Sequence, residues 1–305
     1  MSLARRLWTY QAERFPLVRT ALLVAVFSAA SLSVSAHLAG RALPGPGAYA
    51  AGFFCALVLF FQMRAADEVK DHDDDCRFRP ERPIPRGLVS LRLIVGIALG
   101  LAPLAALAAW AVGMVPLVLL LATWGWLALM SLEFGAPAWL RDRMLVYLVS
   151  HMAIMPLMDL FLTSLEWAGA GGPHPALALF LALSFVNGCV LEIGRKTWTP
   201  ENERAGVESY SRLWGPGRAA FAWAGLVAAA GVLLALLGLA LSPALAGLFA
   251  ALGASGALGA LALARRFAHA PMPGLQKALD AGSGLWVLVC YGAAGVLPML
   301  IGGGP

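Results

Sequence analysis

The sequence predicts an all-α, multi-pass membrane protein built from nine transmembrane helices, and three observations carry that prediction. The chain of 305 residues is 60% hydrophobic and only 13% charged, with a mean hydropathy of +0.76. Its apolar runs match the roughly 20 helical residues needed to cross a hydrocarbon layer about 30 Å thick. Its basic residues, once the runs are threaded through a bilayer, collect on one side.

The spans are expected near residues 16–39, 47–66, 89–113, 114–132, 143–166, 175–195, 217–240, 242–264 and 281–301, within one transmembrane domain covering 1–305. The opening stretch, MSLARRLWTYQAERFPLVRT, carries four arginines in an amphipathic pattern. It reads as a helix on the membrane surface rather than a cleaved signal. Cys55, Cys76, Cys189 and Cys290 lack metal-ligand spacing and are expected as free thiols.

With the N-terminus inside, the inner segments and their bordering span ends hold every Lys and Arg of the 22 except Arg41. An error of one span would scatter these charges over both faces, so the asymmetry supports the count and the orientation together. The net charge of +5 is thereby a matter of topology, not of nucleic-acid binding. The expected setting is a bacterial inner membrane, with the N-terminus and the polar loops cytoplasmic.

Most polar chemistry lies in two loops, after spans 2 and 6. The first, ADEVKDHDDDCRFRPERPIPRG, holds six carboxylates between Asp67 and Asp75. If span 2 continues as a helix, Asp67, Asp71 and Asp75 at i, i+4 and i+8 share one face, each about 6 Å from the next. Like charges at that spacing repel, and a helix C-terminus disfavours them further. Mg²⁺ is the cation suited to such a ladder, because it takes oxygen ligands and bridges carboxylates to phosphates, with Lys70 and nearby arginines gripping the phosphate oxygens. The competing reading is a solvated loop neutralised by pairs such as Glu68 with His72 or Lys70 with Asp74. A calcium loop is excluded: Cys76 stands where glycine is needed and Arg82 where a bidentate glutamate is needed.

The nine spans, the D-x-x-x-D-x-x-x-D ladder and the downstream RPIPRG resemble the UbiA superfamily of intramembrane prenyltransferases. That family's first motif is usually N-D-x-x-D-x-x-x-D followed by R-P-L-x-x-G. In the match Asp67 replaces the leading asparagine, Asp71 and Asp75 match the aspartates, and Arg82 and Pro83 match the Arg-Pro. The resemblance implies Mg²⁺-dependent ionisation of a prenyl diphosphate whose lipid tail lies between helices.

The family's second motif, D-x-x-x-D with a K-x-G-x-K-S-x-A-x-x-x-G run behind it, has LEIGRKTWTPENERAGVESYSRLWG in its place, Gly206 to Gly215 fitting the tail. Glu192 falls near the first aspartate and is expected to bind metal with Asp67, Asp71 and Asp75. Lys196 replaces the second aspartate and, with Arg195, reads as a direct diphosphate binder. Glu201 and Glu203, in an insertion, either supply the missing carboxylate or are solvated. Arg141 and Arg143, in FGAPAWLRDR, stand where the family carries a Tyr-and-Lys-Arg segment and are candidates to reach the diphosphate. Tyr147 and His151, one turn apart and about 6 to 12 Å into span 5, and Asn187 on span 6 are candidates to line the cavity and orient an acceptor.

The resulting expectation is a prenyltransferase acting on a prenyl diphosphate and a hydrophobic or aromatic acceptor, the chemistry borne by Asp67, Asp71, Asp75, Glu192 and Lys196. The alternative is a UbiA-type membrane terpene cyclase, favoured by the unusual Asp67 and the E-x-x-x-K second motif. A transporter using the ladder as a cation site is a third reading, and it leaves the basic second loop unexplained.

Overall fold

The computed structural model describes residues 1–204 and 207–301, and every regular element among them is helical. In chain order these are α1 (Leu3–Arg14), α2 (Leu17–Leu38), α3 (Pro46–Lys70), α4 (His72–Phe78), α5 (Leu91–Gly100), α6 (Ala102–Val112), α7 (Met114–Ser131), α8 (Pro137–Arg141), α9 (Met144–Met152), α10 (Ile154–Trp167), α11 (Leu177–Arg195), α12 (Tyr210–Trp214), α13 (Pro216–Leu241), α14 (Pro243–His269), α15 (Pro273–Gly295) and α16 (Leu297–Ile301). Helix α5 with α6, and α9 with α10, each form one span. They break at Leu101 and Ala153, ahead of Pro103 and Pro156, which lack the amide proton a continuous helix requires.

Eight helices among the described residues are long and apolar enough to cross a membrane, so the protein is an integral, multi-pass membrane protein. The expected ninth span, 281–301, is displaced. Its helix, α15, runs from Pro273 to Gly295 and carries Gln276, Lys277 and Asp280 in its first turns. Those polar residues lower its hydropathy, which is why an apolar window slid toward the C-terminus.

Close packing comes from small residues, as expected where lipid gives no hydrophobic drive between helices. A Cβ on Gly231 of α13 would lie 2.8 Å from the carbonyl oxygen of Gly253 on α14, and one on Gly238 would lie 2.7 Å from the Phe249 Cβ. The same economy brings Gly295 of α15 against Ala30 of α2.

Polar ties cross the bundle where the apolar faces alone leave register open. Asp159 of α10 is fully buried and accepts from Ser31 of α2 and from Tyr291 of α15, each at 2.6 Å. Glu166 accepts from Ser35 at 2.6 Å and from the Arg41 guanidinium at 2.7 Å. Arg41, the one basic residue expected outside, thus fastens the loop after α2 to the end of α10. Helix α1 is docked at the opposite end of the bundle: Arg14 meets the buried Glu68 at 2.6 Å and Glu13 meets Arg86 at 2.7 Å. Trp8 stays exposed, in keeping with an interfacial helix.

Gly253→Val should force α13 and α14 apart, with a cost of about 1–3 kcal/mol typical of overpacking. The expected result is a lower thermal midpoint in detergent, with Gly259→Val, where a Cβ meets open space, close to wild type.

Candidate active site

The first polar loop preserves the register expected of it. Backbone bonds Asp71 N to Asp67 O, Asp75 N to Asp71 O and Arg79 N to Asp75 O, at 2.8 to 2.9 Å, carry the i+4 spacing through the α3–α4 junction. Asp67, Asp71 and Asp75 therefore rise one turn at a time. Asp73 and Asp74 sit in the first turn of α4, where the helix dipole favours them.

The three ladder residues have different fates. Asp75 is buried and held by Arg79 at 3.0 Å and Arg82 at 2.5 Å. Arg82 is aimed there by a tight turn in RPIPRG, closed by Leu88 N donating to Pro83 O at 2.9 Å with Gly87 at a φ of +75°. Asp67 is half exposed, with Arg64 at 3.5 Å. Asp71 has no ion-pair partner within 4 Å among the described residues. Burial, and then the Asp75 carboxylate, push it above the ordinary carboxylate range. Neither suggested local pair forms: Glu68 turns to Arg14, and Lys70 turns to Glu133 of the loop after α7.

The second loop is folded back on itself. Glu203 accepts from Ser209 and Ser211, each at 2.7 Å, Ser211 in turn accepts from Trp198 N, and Tyr210 N donates to Lys196 O at 3.0 Å. Glu203 thus organises the loop, and Glu201 is exposed. Gly206, with which the matched tail begins, lies outside the described residues. Glu192 is buried between Arg195 and Lys196, the latter at 2.9 Å.

The two loops meet at Tyr147. Its hydroxyl accepts from the Lys70 ammonium at 2.7 Å, Lys70 also lies 4.8 Å from the ring centroid, and Lys196 lies 5.6 Å from the same centroid. His151 stacks on that ring at 3.8 Å. Met63, Asp67, Lys70, Met130, Tyr147 and His151 line a cavity of about 30 Å³ at this point.

The structure thus gathers Asp67, Lys70, Tyr147, His151, Glu192, Arg195 and Lys196 around one mouth, with Asp71 one turn beyond. It does not gather the expected metal quartet: among the described residues no group of three carboxylate, histidine or cysteine side chains converges on a common point, because Asp75 and Glu192 are each claimed by two cations. Arg141 and Arg143 are exposed, Arg143 lying over Trp139 at 4.6 Å. Asn187 is buried, with neither amide atom bonded, beside Cys290 of α15.

Two residues of the site escaped the sequence reading. Glu133 pairs with Lys70 and sits 3.6 Å from His151 Nε2. It and Phe134 hold left-handed φ values of 50° and 52°, uncommon for residues with a Cβ. A carboxylate at the end of an apolar span was the available signal. Tyr210 is buried with an unbonded hydroxyl, and burial, followed by the nearby Glu192 charge, pushes its phenol well above the usual tyrosine range.

The oxygen-donor chemistry at this mouth fits Mg²⁺ in a restricted form. Mg²⁺ is commonly bound through one or two carboxylates plus substrate phosphates and water. Asp67 and Asp71 are the ladder carboxylates left outside the Asp75 arginine clamp, and Asp71 makes no ion pair within 4 Å among the described residues.

No curated protein matches the sequence. Among solved structures the fold is similar to that of a digeranylgeranylglyceryl phosphate synthase, at 15% identity and a TM-score of 0.63 over 95% of this chain and 98% of the other. It is also similar to a UbiA homologue from Archaeoglobus fulgidus bound to DMAPP and Mg²⁺, at 16% identity and a TM-score of 0.59 over 92% and 98%. The sequence pattern of the UbiA prenyltransferase family matches residues 25–279, a stretch that contains both polar loops and every side chain at the mouth, and the chain belongs to that family.

Proposed function

We propose that this protein ionises a prenyl diphosphate in a Mg²⁺-dependent reaction at the cytoplasmic mouth of the bundle and transfers the prenyl group to a hydrophobic or aromatic acceptor within the membrane. The observation that carries this reading is the convergence of the two loops on Tyr147, which sets two ammonium groups near Asp67 and Asp71, the ladder carboxylates outside the Asp75 arginine clamp. The relative bound to DMAPP and Mg²⁺ supports the substrate class and the metal.

Asp67 and Asp71 would hold Mg²⁺, which neutralises charge on the departing diphosphate. Lys70 and Lys196 bind the phosphate oxygens. An ammonium has three donors; Lys70 spends two on Glu133 and Tyr147 and Lys196 spends one on Glu192, so both retain capacity. Glu192 holds Arg195 and Lys196 in position rather than ligating metal. The Tyr147 ring, whose face already draws two cations, stabilises the allylic cation by the same quadrupole. A tail larger than the 30 Å³ cavity is admitted by movement of Met63 and Met130, whose unbranched side chains repack readily. Tyr147 and His151, polar groups lining that cavity, favour transfer to an oriented acceptor over cyclisation in a wholly apolar pocket.

Asp67→Asn and Asp71→Asn should each lower Mg²⁺-dependent diphosphate release by about 10²- to 10³-fold, the scale of losing one charge-stabilising contact. In Asp71→Asn the thermal midpoint without divalent cation should rise. The carboxyl is raised in the folded state, so its ionised form opposes folding at neutral pH and the amide removes that penalty. Retained turnover together with an unchanged midpoint would reject the assignment.

Lys196→Ala should raise KM for the prenyl diphosphate at every Mg²⁺ concentration. Rescue of that variant by excess Mg²⁺ in steady-state assays would show that Lys196 acts on the metal instead. Extraction of products from C10 to C20 prenyl diphosphates, with and without added phenolic acceptor, separates transfer from cyclisation: a cyclic product of unchanged carbon number formed rapidly without acceptor would establish the cyclase.

A further inference from the structure

The reaction just proposed leaves a proton to be removed. When the prenyl C1–O bond breaks, its electron pair leaves with diphosphate, and C1 bonds to a nucleophilic oxygen or ring carbon that carries hydrogen. That hydrogen must depart as a proton. If instead the cation is quenched within its own chain, a C–H bond gives up its proton as the alkene forms. Either outcome needs a proton acceptor within reach of the cavity, a part open to a side chain as well as to the departing diphosphate.

The geometry points to His151 as that base, with Glu133 as the counter-ion that supports it; the assignment rests on the prenyl-transfer reading above. His151 Nδ1 lies 2.9 Å from the Tyr147 backbone carbonyl. A carbonyl oxygen only accepts, so Nδ1 carries the proton. The Ser150 hydroxyl donates to the same carbonyl at 3.1 Å and its oxygen lies 3.3 Å from Nδ1, so toward Nδ1 it acts as an acceptor. The tautomer is thereby set, and Nε2 presents a lone pair.

Nε2 is buried and unbonded, and so is Glu133 Oε2, 3.6 Å away. Glu133 Oε1 is anchored by Lys70. An imidazolium formed at His151 would find the Glu133 carboxylate at ion-pair distance from Nε2, while the Tyr147 carbonyl at Nδ1 orients the ring. The left-handed backbone at Glu133 and Phe134 delivers both partners: Phe134 packs edge-on against the His151 ring at 5.9 Å, while Tyr147 stacks on that ring at 3.8 Å. The charged and titratable groups facing His151 are Lys70 of α3, Glu133 of the α7–α8 loop, Tyr147 of its own helix and Glu192 of α11. Lys70 is a cation and Glu192 is held by Arg195 and Lys196, which leaves Glu133 Oε2, the oxygen not bonded to Lys70, as the acceptor.

The test uses the full-length protein in lipid nanodiscs with Mg²⁺, geranyl diphosphate and 4-hydroxybenzoate as a phenolic probe. Diphosphate release and organic products are measured for wild type, His151→Gln and Glu133→Gln. In His151→Gln the product formed by proton loss should fall on the order of 10²-fold, the scale of a general base. Diphosphate release should fall less, with prenyl alcohol from water capture taking a larger share. Glu133→Gln, a positioning variant that keeps a hydrogen bond to Lys70, should shift the same product ratio in the same direction without raising KM. Imidazole should restore deprotonated product in His151→Gly. Wild-type release with an unaltered product ratio in both glutamine variants, or a parallel fall of release and product, would overturn the base assignment alone. No release by wild type with any C10 to C20 diphosphate would overturn the prenyl-transfer reading, and the base with it.

Discussion

An ion in a low-dielectric bundle must be compensated within a few ångströms or it destabilises the fold, and the most deeply placed charges at the membrane ends of this protein obey that constraint through ion pairs, several of them between segments distant in sequence. Glu68 reaches Arg14, Glu166 reaches Arg41, Lys70 reaches Glu133, and Glu192 takes up its own helix's Arg195 and Lys196. Breaking such a pair leaves an unpaired buried ion, which costs far more than the pair contributes. These pairs fasten α1 onto α3, the α2 loop onto α10, and the α7–α8 loop over the mouth. The architecture of the site follows from them.

Against that background Asp71 stands apart. It lies in a partly buried position beside Asp75, whose charge is consumed by two arginines, and it makes no ion pair of its own within 4 Å among the described residues. The mouth thus sets Asp67 and Asp71, at the end of α3, in the same neighbourhood as the ammonium groups of Lys70 and Lys196 around Tyr147.

The second loop illustrates how a departure from a family pattern changes a site without abolishing it. Lys196 occupies the place of a carboxylate, and the structure turns it toward Glu192 and the Tyr147 face. The half of the mouth built by α11 is therefore rich in cations, with Arg195 and Lys196 both on Glu192. The insertion carrying Glu201 and Glu203 does not repair this. Glu203 is spent on serine hydroxyls and Glu201 faces outward.

Much was legible in the chain itself, because membranes make local rules strict. Apolar length set the spans, the side on which Lys and Arg collect suggested orientation, and i+4 spacing placed Asp67, Asp71 and Asp75 on one face, a register the backbone bonds preserve. The spacing did not reveal that Asp75 would be closed off, since that depends on how the RPIPRG turn aims Arg82. Nor did it reveal Glu133, a single carboxylate at a span end whose role arises only when a left-handed turn carries it to Lys70 and His151, residues 63 and 18 positions away. Local periodicity is a property of one helix and can be read from one segment. The partner of a charge is chosen by packing between segments, so only the tertiary structure decided which carboxylates are neutralised, which make no ion pair, and which imidazole nitrogen is left without a hydrogen bond.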